Sequence, residues 1–391
     1  MAVKKRLSFL ALGGKCHRRH VVRVSFCEAA FQCGCKMSRK AAQFGRFWLD
    51  ECPRLSLSIG QLSSLTGNAV SRGVDPVGKT VAVIGGSGFV GRATIEMLAK
   101  QGARVIVLCR NAERAKYLKP MGTVGQITIV SGDALNETTL EQVIAPADAV
   151  INFVGILAQS GSQTFSALQA ELPGRIGKLA TKHGVKHLVH LSAIGADANS
   201  PSLYARTKAA GEANLRAAFP AAVILRPSII FGPRDNFFNR FASMAMLAPG
   251  LPLPGGGHML MQPVYVGDVA RAIVAGIGMA PSNTKMAGAV FELGGPDVFS
   301  FRQLMQLTLS QIKRRRLLVP VPLGIMRLGA IFAGMLPNPP LTVDQMRLLE
   351  SDNVVGKKAK GLADLGIEAT PVDTILPGYL SRFRPGGKFA R

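Results

Sequence analysis

Three polar residues that could perform acid–base chemistry stand close together in the chain: Ser192, Tyr204 and Lys208. Tyr204 and Lys208 are four residues apart on a predicted helix, so their side chains share one face. A lysine ammonium beside a phenol favours the phenolate and lowers the pKa of the tyrosine, which would prepare Tyr204 as an acid or a base. Ser192, at the end of a predicted strand, could polarise a substrate carbonyl. A solvated helix face is the alternative interpretation, because Tyr-x-x-x-Lys spacing is common.

The element that must position these residues is a glycine-rich turn within residues 81–92, VAVIGGSGFVGR. A short apolar run precedes it, and the helical spacing that follows it stops at Gly102. This order of buried strand, tight turn and helix is the context in which a glycine fingerprint indicates dinucleotide binding. The alternative is a glycine turn that only packs. The residues of the turn predicted to contact the cofactor are Gly85, Gly86, Ser87, Gly88, Phe89, Val90 and Gly91.

The glycines of this turn have separable physical roles. Gly85 and Gly86 allow a turn that a Cβ would block, and Gly88 lets the backbone approach a pyrophosphate. Gly91 lets the helix pack closely on the strand. The helix N-terminus then points its free N–H groups at the phosphates.

A cation follows the second predicted strand, residues 103–109, where an NAD site would carry an acidic residue for the ribose 2′-hydroxyl. Arg110 occupies this position, with Arg114 and Lys116 close behind. A cation suits a 2′-phosphate, so the sequence favours NADP(H) over NAD(H). The alternative is an exposed arginine on a loop.

Further strands are predicted at residues 126–130, 149–154 and 187–192, in alternation with helices. Their runs are apolar on both faces, which predicts an α/β fold with a doubly wound parallel sheet of the Rossmann type. Asp133, after the third strand, is placed to read an adenine amino group, and the end of the fourth strand should lie under the nicotinamide ribose. The additional predicted cofactor contacts are Asp133, Asn152, Val154, Gly155, Lys208 and Pro227.

These residues together resemble the extended and atypical short-chain dehydrogenase/reductase family. Two later segments, LRPSIIFGP at 225–233 and QPVYVGDVA at 262–270, are similar to substrate-side signatures of its extended members. The resemblance covers roughly residues 79–385. It implies a nicotinamide cofactor, and it places Tyr204 and Ser192 at the catalytic positions of active reductases.

Several short segments in the right order are similar to a narrower group, the dinucleotide-binding alpha-subcomplex subunit nine proteins of respiratory complex I, with alphaproteobacterial versions nearest. These segments are residues 120–126, 150–156, 237–243, 262–266, 351–355, 364–371 and 382–385. The resemblance implies an accessory subunit that holds NADPH tightly, away from electron transfer, without established turnover. By motif it implies nucleotide contacts at Gly85, Gly88, Gly91, Arg110, Asp133 and Lys208.

Two functions from different classes therefore stand side by side. The first is an NAD(P)H-binding accessory or assembly subunit of complex I, with complex I subunits as partners and a mainly structural cofactor. The alternative is a free NAD(P)-dependent oxidoreductase or epimerase that uses Tyr204, Lys208 and Ser192. The presence of Tyr204 and Ser192 argues against an assignment as purely structural.

Residues 1–77 are expected to be a disordered basic extension, because basic residues dominate before the first acidic residue, Glu28. A transit peptide and a start assigned too far upstream explain this equally well. The first places the protein on the matrix side of the mitochondrial inner membrane, the second on the cytoplasmic face of a bacterial inner membrane. Five of the six cysteines lie in this extension in spacing that fits no metal site, so no metal is predicted, and Cys109 alone in the fold indicates a reducing compartment.

Residues 78–233 are expected to form the nucleotide-binding domain, and residues 234–391 a smaller α/β domain of the substrate-binding or docking type. The net charge is +24, but no aromatic residues interleave with the cations, which argues against nucleic acid. Lys313–Arg316 precede an apolar segment, Leu317–Leu336, that prolines and Arg327 make too interrupted to span a bilayer. This pattern favours peripheral contact with an anionic membrane surface. The alternative is a buried amphipathic core helix beside solvated charges.

Overall fold

A computed structural model describes residues 78–280, 285–326 and 343–387 of the chain. These described residues belong to one compact unit. The predictions for residues 1–77, and those for 327–336 at the end of the apolar segment, lie outside the described residues. Among the described residues, no helix is long and apolar enough to cross a bilayer.

The strands in chain order are β1 Thr80–Ile84, β2 Arg104–Cys109, β3 Ile127–Ser131, β4 Ala149–Asn152, β5 His187–Leu191, β6 Val223–Pro227, β7 Ile230–Phe231, β8 Gly250–Pro254, β9 Leu260–Met261, β10 Val264–Tyr265, β11 Val290–Leu293, β12 Phe299–Ser300 and β13 Leu317–Val321. The α-helices are α1 Phe89–Lys100, α2 Ala112–Ala115, α3 Glu137–Ile144, α4 Leu172–Lys182, α5 Leu203–Ala218, α6 Phe238–Leu247, α7 Val266–Gly276, α8 Phe301–Gln311, α9 Val343–Leu348 and α10 Val372–Leu380. Short 3₁₀ turns lie at Lys116–Met121, Gly255–Gly257, Ala363–Leu365 and Ser381–Phe383, and a π-helical turn at Ser166–Glu171 leads into α4.

Seven strands form one sheet in the order β11-β6-β5-β4-β1-β2-β3, and every pairing in it is parallel. The predicted doubly wound parallel sheet is therefore confirmed. The strand order reverses between β1 and β4. In open α/β sheets, ligands bind in the crevice outside the carboxyl ends of the strands at such a reversal.

The apolar run of β1 shows why the sheet is buried on both faces. Val81 and Val83 pack into one core cluster, whereas Ala82 and Ile84 pack into another on the opposite face. Successive side chains of a strand alternate in direction, so a strand between two helical layers must be apolar throughout. The continuous pattern thus follows from the two-sided burial.

The chain after residue 233 contributes to the same sheet as well as to a separate core. Strand β11 pairs with β6, and α7 packs against α1. The remaining elements surround a third core cluster that includes Phe238 and Phe301. The division of the fold at residue 233 stays a prediction.

The apolar segment that follows Arg316 begins as a strand. Residues Leu317–Val321 form β13, which pairs in parallel with β8. The alternative of a buried amphipathic helix is therefore wrong for these residues. Leu317 and Val319 are exposed on the outer side of the strand, and Leu318 packs against the third core.

Candidate nucleotide-binding site

Gly85 is the residue at which the turn after β1 requires glycine for its backbone. Its φ is +78°, in the left-handed region that a side chain disfavours. A Cβ at this position would also lie 3.2 Å from Val154 Cγ2 and 3.3 Å from the Val154 backbone nitrogen. The turn after β1 therefore rests directly against the loop after β4, across the reversal in strand order.

Gly86 and Gly91 serve close packing. A Cβ on Gly91 would lie 2.4 Å from the Gly86 carbonyl oxygen, so only glycine lets α1 approach the strand end, as expected. Gly86 has no positive φ, and a Cβ there would lie 2.7 Å from Val83 Cγ1 and 2.9 Å from Ile95 Cδ1. A Cβ at Gly86 would be blocked, as expected, because the surrounding core side chains leave no room for it.

Gly88 faces open space at the start of α1. The nearest heavy atom to a Cβ there is the Gly85 oxygen, at 3.8 Å. No side chain caps α1, and its first turn contains no acidic residue. Ser87 is exposed, and Phe89 and Val90 are half-buried. An uncapped helix N-terminus beside an open glycine is suited to bind an anion such as a pyrophosphate.

Cations lie near this turn on the side of β2. Arg110 is exposed directly after β2, and no ion pair to it is present in the described parts of the chain. Arg92 on α1 stacks over the ring of Tyr117, with its Cζ 4.8 Å from the ring centroid. Tyr117 donates a hydrogen bond of 2.6 Å from its hydroxyl to the Ser87 carbonyl. Burial raises the pKa of the Tyr117 phenol, with Arg92 opposing the shift.

Sequence reasoning missed Arg92 and Tyr117. The only local signal was a cation directly after the last glycine of the turn. Tyr117 reaches the turn from the 3₁₀ segment that follows α2 in the chain, a contact that no spacing rule predicts.

Asp133 lies two residues beyond β3, at the same edge of the sheet, and its carboxylate is partly engaged within the protein. One oxygen accepts from the Leu135 backbone at 3.0 Å and the other from Gln163 Nε2 at 3.3 Å. The side chain is half-buried. Its predicted contact with adenine stays a prediction.

Asn152 ends β4 two residues earlier than predicted, and its side chain explains why. Its Oδ1 accepts from the Val154 backbone at 3.0 Å, which turns the chain out of the sheet. Its Nδ2 lies 3.1 Å from Nδ1 of His190, a fully buried neighbour on β5. Burial, together with the charge of Lys208, lowers the pKa of His190 to about 3. His190 is therefore a neutral partner that fixes Asn152, and the sequence analysis did not single it out.

Lys208 lies beside Gly155, in the loop after β4. A Cβ on Gly155 would be 3.2 Å from Lys208 Nζ. The ammonium donates to the Leu191 carbonyl at 3.2 Å, and burial lowers the pKa of Lys208 to about 8, with Glu212 opposing the shift. Two of the predicted cofactor contacts are thus brought together.

The predicted effect of Lys208 on Tyr204 was wrong. Lys208 Nζ lies 6.0 Å from the centroid of the Tyr204 ring, and burial raises the pKa of Tyr204 to about 12. Desolvation of the phenol, which penalises its charged form, outweighs the nearby cation. At neutral pH, Tyr204 is a protonated phenol, an acid and hydrogen-bond donor.

The hydroxyl of Ser192 is bound within the protein. It donates to Oε1 of Glu212 at 2.5 Å, and both residues are buried. Glu212 also accepts from Arg226 Nε at 2.9 Å and from Nη2 at 2.7 Å. Ser192 follows β5 as expected, but its hydroxyl is directed to α5 instead of to a substrate.

The predicted site residues thus collect along one edge of the sheet. Pro227, buried at the end of β6, accepts from the Ile194 backbone at 3.1 Å. Cys109, at the end of β2, is a buried thiol whose pKa is raised by burial. No group of three or more metal-ligating side chains is present in the described ranges. The histidines and cysteines considered for a metal in the N-terminal extension lie outside those ranges.

Comparison with known proteins agrees with this geometry. The model of the NAD dependent epimerase/dehydratase family matches residues 81–286, more than half of the chain. This chain belongs to that family. A dTDP-glucose 4,6-dehydratase from Streptomyces venezuelae, solved with NAD bound, has the same fold with a TM-score of 0.59, at 20% identity over 77% of this chain and 95% of the other.

Two curated relatives refine the position of the chain within the family. NADH dehydrogenase (ubiquinone) 1 alpha subcomplex subunit 9 of Arabidopsis thaliana is 32% identical over 79% of this chain and 79% of its own length. The Mus musculus protein of the same name is 31% identical over 78% of this chain and 81% of its own length. The resemblance to the alpha-subcomplex subunit nine proteins is confirmed.

Proposed function

We propose that this chain is an NAD(P)H-binding accessory subunit of respiratory complex I, whose cofactor serves mainly to stabilise the fold. Two relatives at 31–32% identity over nearly four fifths of the chain carry a complex I subunit name. The observation that carries the structural role is the hydrogen bond from Ser192 to Glu212 at 2.5 Å. The nucleotide end of the site is open, whereas this polar group of its catalytic end is already bound inside the protein.

The energetics of that bond support a structural cofactor. A hydrogen bond to a charged group contributes about 1.5–3 kcal/mol. To bind the Ser192 hydroxyl, a substrate carbonyl would have to displace Glu212 as its acceptor. Oε1 of the buried Glu212 would then keep only the hydrogen bond from Arg226 Nε. By contrast, a dinucleotide that binds only the folded chain stabilises it by mass action, about 2.7 kcal/mol at a concentration 100 times the Kd.

The residues proposed to hold the cofactor are those of the glycine turn and of the strand ends. The turn would bind the pyrophosphate, and Asp133 the adenine. Lys208, with Asn152, Val154, Gly155 and Pro227, would surround the nicotinamide ribose. The domain division proposed for this function remains a nucleotide-binding part at 78–233 and a docking part at 234–391.

We propose further that NADP(H) is preferred over NAD(H). Arg110 directly follows β2, where a cation suits a ribose 2′-phosphate, and Arg92 stacked on Tyr117 adds a second cation near the turn. Arg110→Ser should weaken NADPH binding about tenfold and leave NADH binding unchanged, because the change removes one charged hydrogen bond. Arg104→Ser, at the opposite end of the same strand, is the control. Equal losses for both nucleotides would contradict this preference.

A contact with an anionic membrane surface is proposed for the outer side of β13. Leu317 is 72% exposed, Val319 46% and the neighbouring Leu247 91%. Lys313 and Arg315 are exposed next to them, whereas Arg316 donates to the Ala245 carbonyl at 2.7 Å and so anchors the strand. An apolar surface edged by cations is typical of proteins that lie on anionic lipid. The membrane would be the mitochondrial inner membrane on its matrix side, or the bacterial inner membrane on its cytoplasmic face.

Vesicle co-sedimentation of the full chain tests this surface. The protein should pellet with vesicles containing phosphatidylglycerol and not with neutral phosphatidylcholine vesicles. The double change Lys313→Glu and Arg315→Glu should abolish the difference. Equal binding to both vesicle types would contradict the proposal.

The second candidate function is a free NAD(P)-dependent oxidoreductase or epimerase. The observation in its favour is that Tyr204 and Lys208 share one face of α5, with Lys208 Nζ beside Gly155. In this alternative, Tyr204 would donate the proton and Lys208 would hold the ribose, while Ser192 would have to leave Glu212 to orient the substrate.

Native gel electrophoresis of detergent-extracted membranes distinguishes the two functions. Native membranes would be extracted with mild detergent and separated on a native gel, and the nucleotide released from the band that holds this chain would be identified. We expect the chain in a large NADH-oxidising complex with about one NADPH per chain, since a structural ligand is retained. A small soluble species with exchangeable nucleotide would contradict the subunit and favour the enzyme.

A further inference from the structure

Helix α5, which carries Tyr204 and Lys208, lacks acidic residues in its own first turn. Its N-cap is Ser202, whose hydroxyl accepts from the Ala205 backbone at 3.4 Å. The first N–H groups of a helix have no partner within the helix, and the positive end of the helix dipole lies there. Something outside α5 must therefore satisfy the N–H groups of Leu203 and Tyr204.

Asp344, on the distant helix α9, supplies both acceptors. Its Oδ1 accepts from the Leu203 nitrogen at 2.7 Å, and its Oδ2 accepts from the Tyr204 nitrogen at 3.0 Å and from the Ser202 hydroxyl at 2.8 Å. The carboxylate thus spans the start of α5 with both oxygens. It also provides the negative charge that the first turn lacks.

Arg347, one turn further along α9, makes a second contact with the same place. Its Nη1 donates to the Pro201 carbonyl at 3.1 Å and lies 3.9 Å from Asp344 Oδ1. Two side chains of one short helix therefore fix the segment that leads into Tyr204.

A cavity of about 340 Å³ lies between α9 and the loop after β4. Asp344 and Arg347 line it together with Leu203 and Phe165. The ring of Phe165 meets the ring of Tyr204 edge-to-face, with centroids 6.2 Å apart. The contact of Asp344 with α5 thus lies next to the aromatic environment of Tyr204.

We propose that Asp344 is a positioning residue for the Tyr204–Lys208 pair: by capping α5 from α9, it fixes where the phenol stands and how firmly the nicotinamide end of the dinucleotide is held. This proposal rests on the proposed binding of NAD(P)H. It links a C-terminal segment to the cofactor site through three named contacts.

The test compares Asp344→Asn, Asp344→Ala and Arg347→Gln in the full chain. Asp344→Asn keeps the shape but loses the charge and one acceptor, whereas Arg347→Gln leaves the cap in place. Asp373→Asn, in the first turn of α10, is the matched control because Asp373 is exposed and caps no part of α5. Circular dichroism establishes that each variant is folded.

Two readouts are measured. The rate of NADPH dissociation, followed by nucleotide fluorescence, should rise roughly three- to tenfold in both Asp344 variants, in line with the loss of a helix cap. It should change less than about twofold in Arg347→Gln and Asp373→Asn. The Tyr204 phenol, titrated by NMR with Tyr204→Phe as the assignment reference, should show a pKa below that in the unchanged chain, because an uncapped first turn admits water to the ring.

The outcomes separate the two proposals. If the unchanged chain does not bind NADPH, the proposed function fails. If it binds and the folded Asp344 variants keep both the dissociation rate and the Tyr204 titration of the unchanged chain, only the positioning role is overturned. If both Asp344 variants fail to fold, amide exchange in the unchanged chain decides. Slower exchange at Leu203 and Tyr204 than at Phe89 and Val90, the first residues of the uncapped helix α1, then supports the cap from α9, and equally fast exchange overturns it.

Discussion

The two ends of the candidate site differ in whether their polar groups are available. At the glycine turn, α1 has no side-chain cap, Gly88 faces open space and Arg110 has no ion pair within the described ranges. At the α5 end, Ser192 is bound to Glu212 and Lys208 to the Leu191 carbonyl. A site whose glycine turn is open and whose serine is engaged can hold a nucleotide, whereas substrate chemistry there would first require Ser192 to leave Glu212.

The difference in availability between the polar groups of the two ends has an energetic cause. Glu212 is a buried carboxylate, and it is tolerated because Arg226 and Ser192 satisfy it with three hydrogen bonds. Releasing Ser192 would disturb that arrangement. The groups at the glycine turn are exposed, so a ligand can bind them without breaking bonds inside the protein.

Glu212→Ala should have the largest effect, because it leaves Arg226 without its main partner and removes the acceptor of Ser192. We expect a loss of about 3–5 kcal/mol in the free energy of unfolding, the cost of breaking a buried ion pair. Urea denaturation measures it. Glu141→Ala is the control, since its pairs with Lys182 and His183 lie at the surface and should contribute far less. Equal losses in the two variants would contradict the claim that the buried Glu212 pair at the α5 end is costly to break.

Lowering the pH should reduce the free energy of unfolding through His190, which lies at the α5 end of the site. The folded pKa is about 3 and the unfolded value about 6.5, so the unfolded chain binds the proton first as pH falls. The contribution of neutral His190 to the free energy of unfolding is therefore complete above pH 6.5 and is lost as the pH falls towards 3. The loss from this one group is at most about 1.4 kcal/mol for each pH unit. Denaturation curves of the unchanged chain and of His190→Gln measure the slope. The variant should have the smaller slope over this range, and an equal slope would show that His190 does not remain neutral.

Gly91→Ala should disrupt the open end. A Cβ would lie 2.4 Å from the Gly86 oxygen, so α1 must move away from the strand end. An overpacking cost of about 1–3 kcal/mol corresponds to roughly a 5- to 150-fold loss of NADPH affinity if it falls on the bound state. Isothermal titration measures the affinity. Gly378→Ala, where a Cβ meets nothing within 4 Å, should bind NADPH normally. Unchanged binding by Gly91→Ala would mean that the turn does not hold the nucleotide.

Ser192→Ala should have the smallest effect on the cofactor. The change removes one hydrogen bond to Glu212 and should lower the free energy of unfolding by about 1–3 kcal/mol. NADPH affinity and retention in the native complex should stay the same, because the hydroxyl points to α5. A loss of nucleotide binding, or of a turnover activity, would mean that Ser192 serves the ligand directly and that the engaged end is in use.

Much of the fold could be predicted because its signals are local. The apolar run of β1, the glycines after it and the strand–helix alternation depend on periods of a few residues, which the sequence displays directly. The limits of β2, β3 and β5 were predicted to within one residue. The end of β4 was predicted two residues too late, because it depends on the Asn152 side chain, which accepts from the Val154 backbone.

The sequence by itself determined the parallel sheet, the dinucleotide turn and the common face of Tyr204 and Lys208. Only the tertiary structure decided which partners these groups have. Ser192 binds Glu212, Asn152 meets His190, and Asp344 caps α5, each across a long separation in the chain. It also decided the sign of the Tyr204 pKa shift. The physical reason is that helix and strand periodicity is local, whereas burial and hydrogen-bond partners depend on which elements pack together in three dimensions.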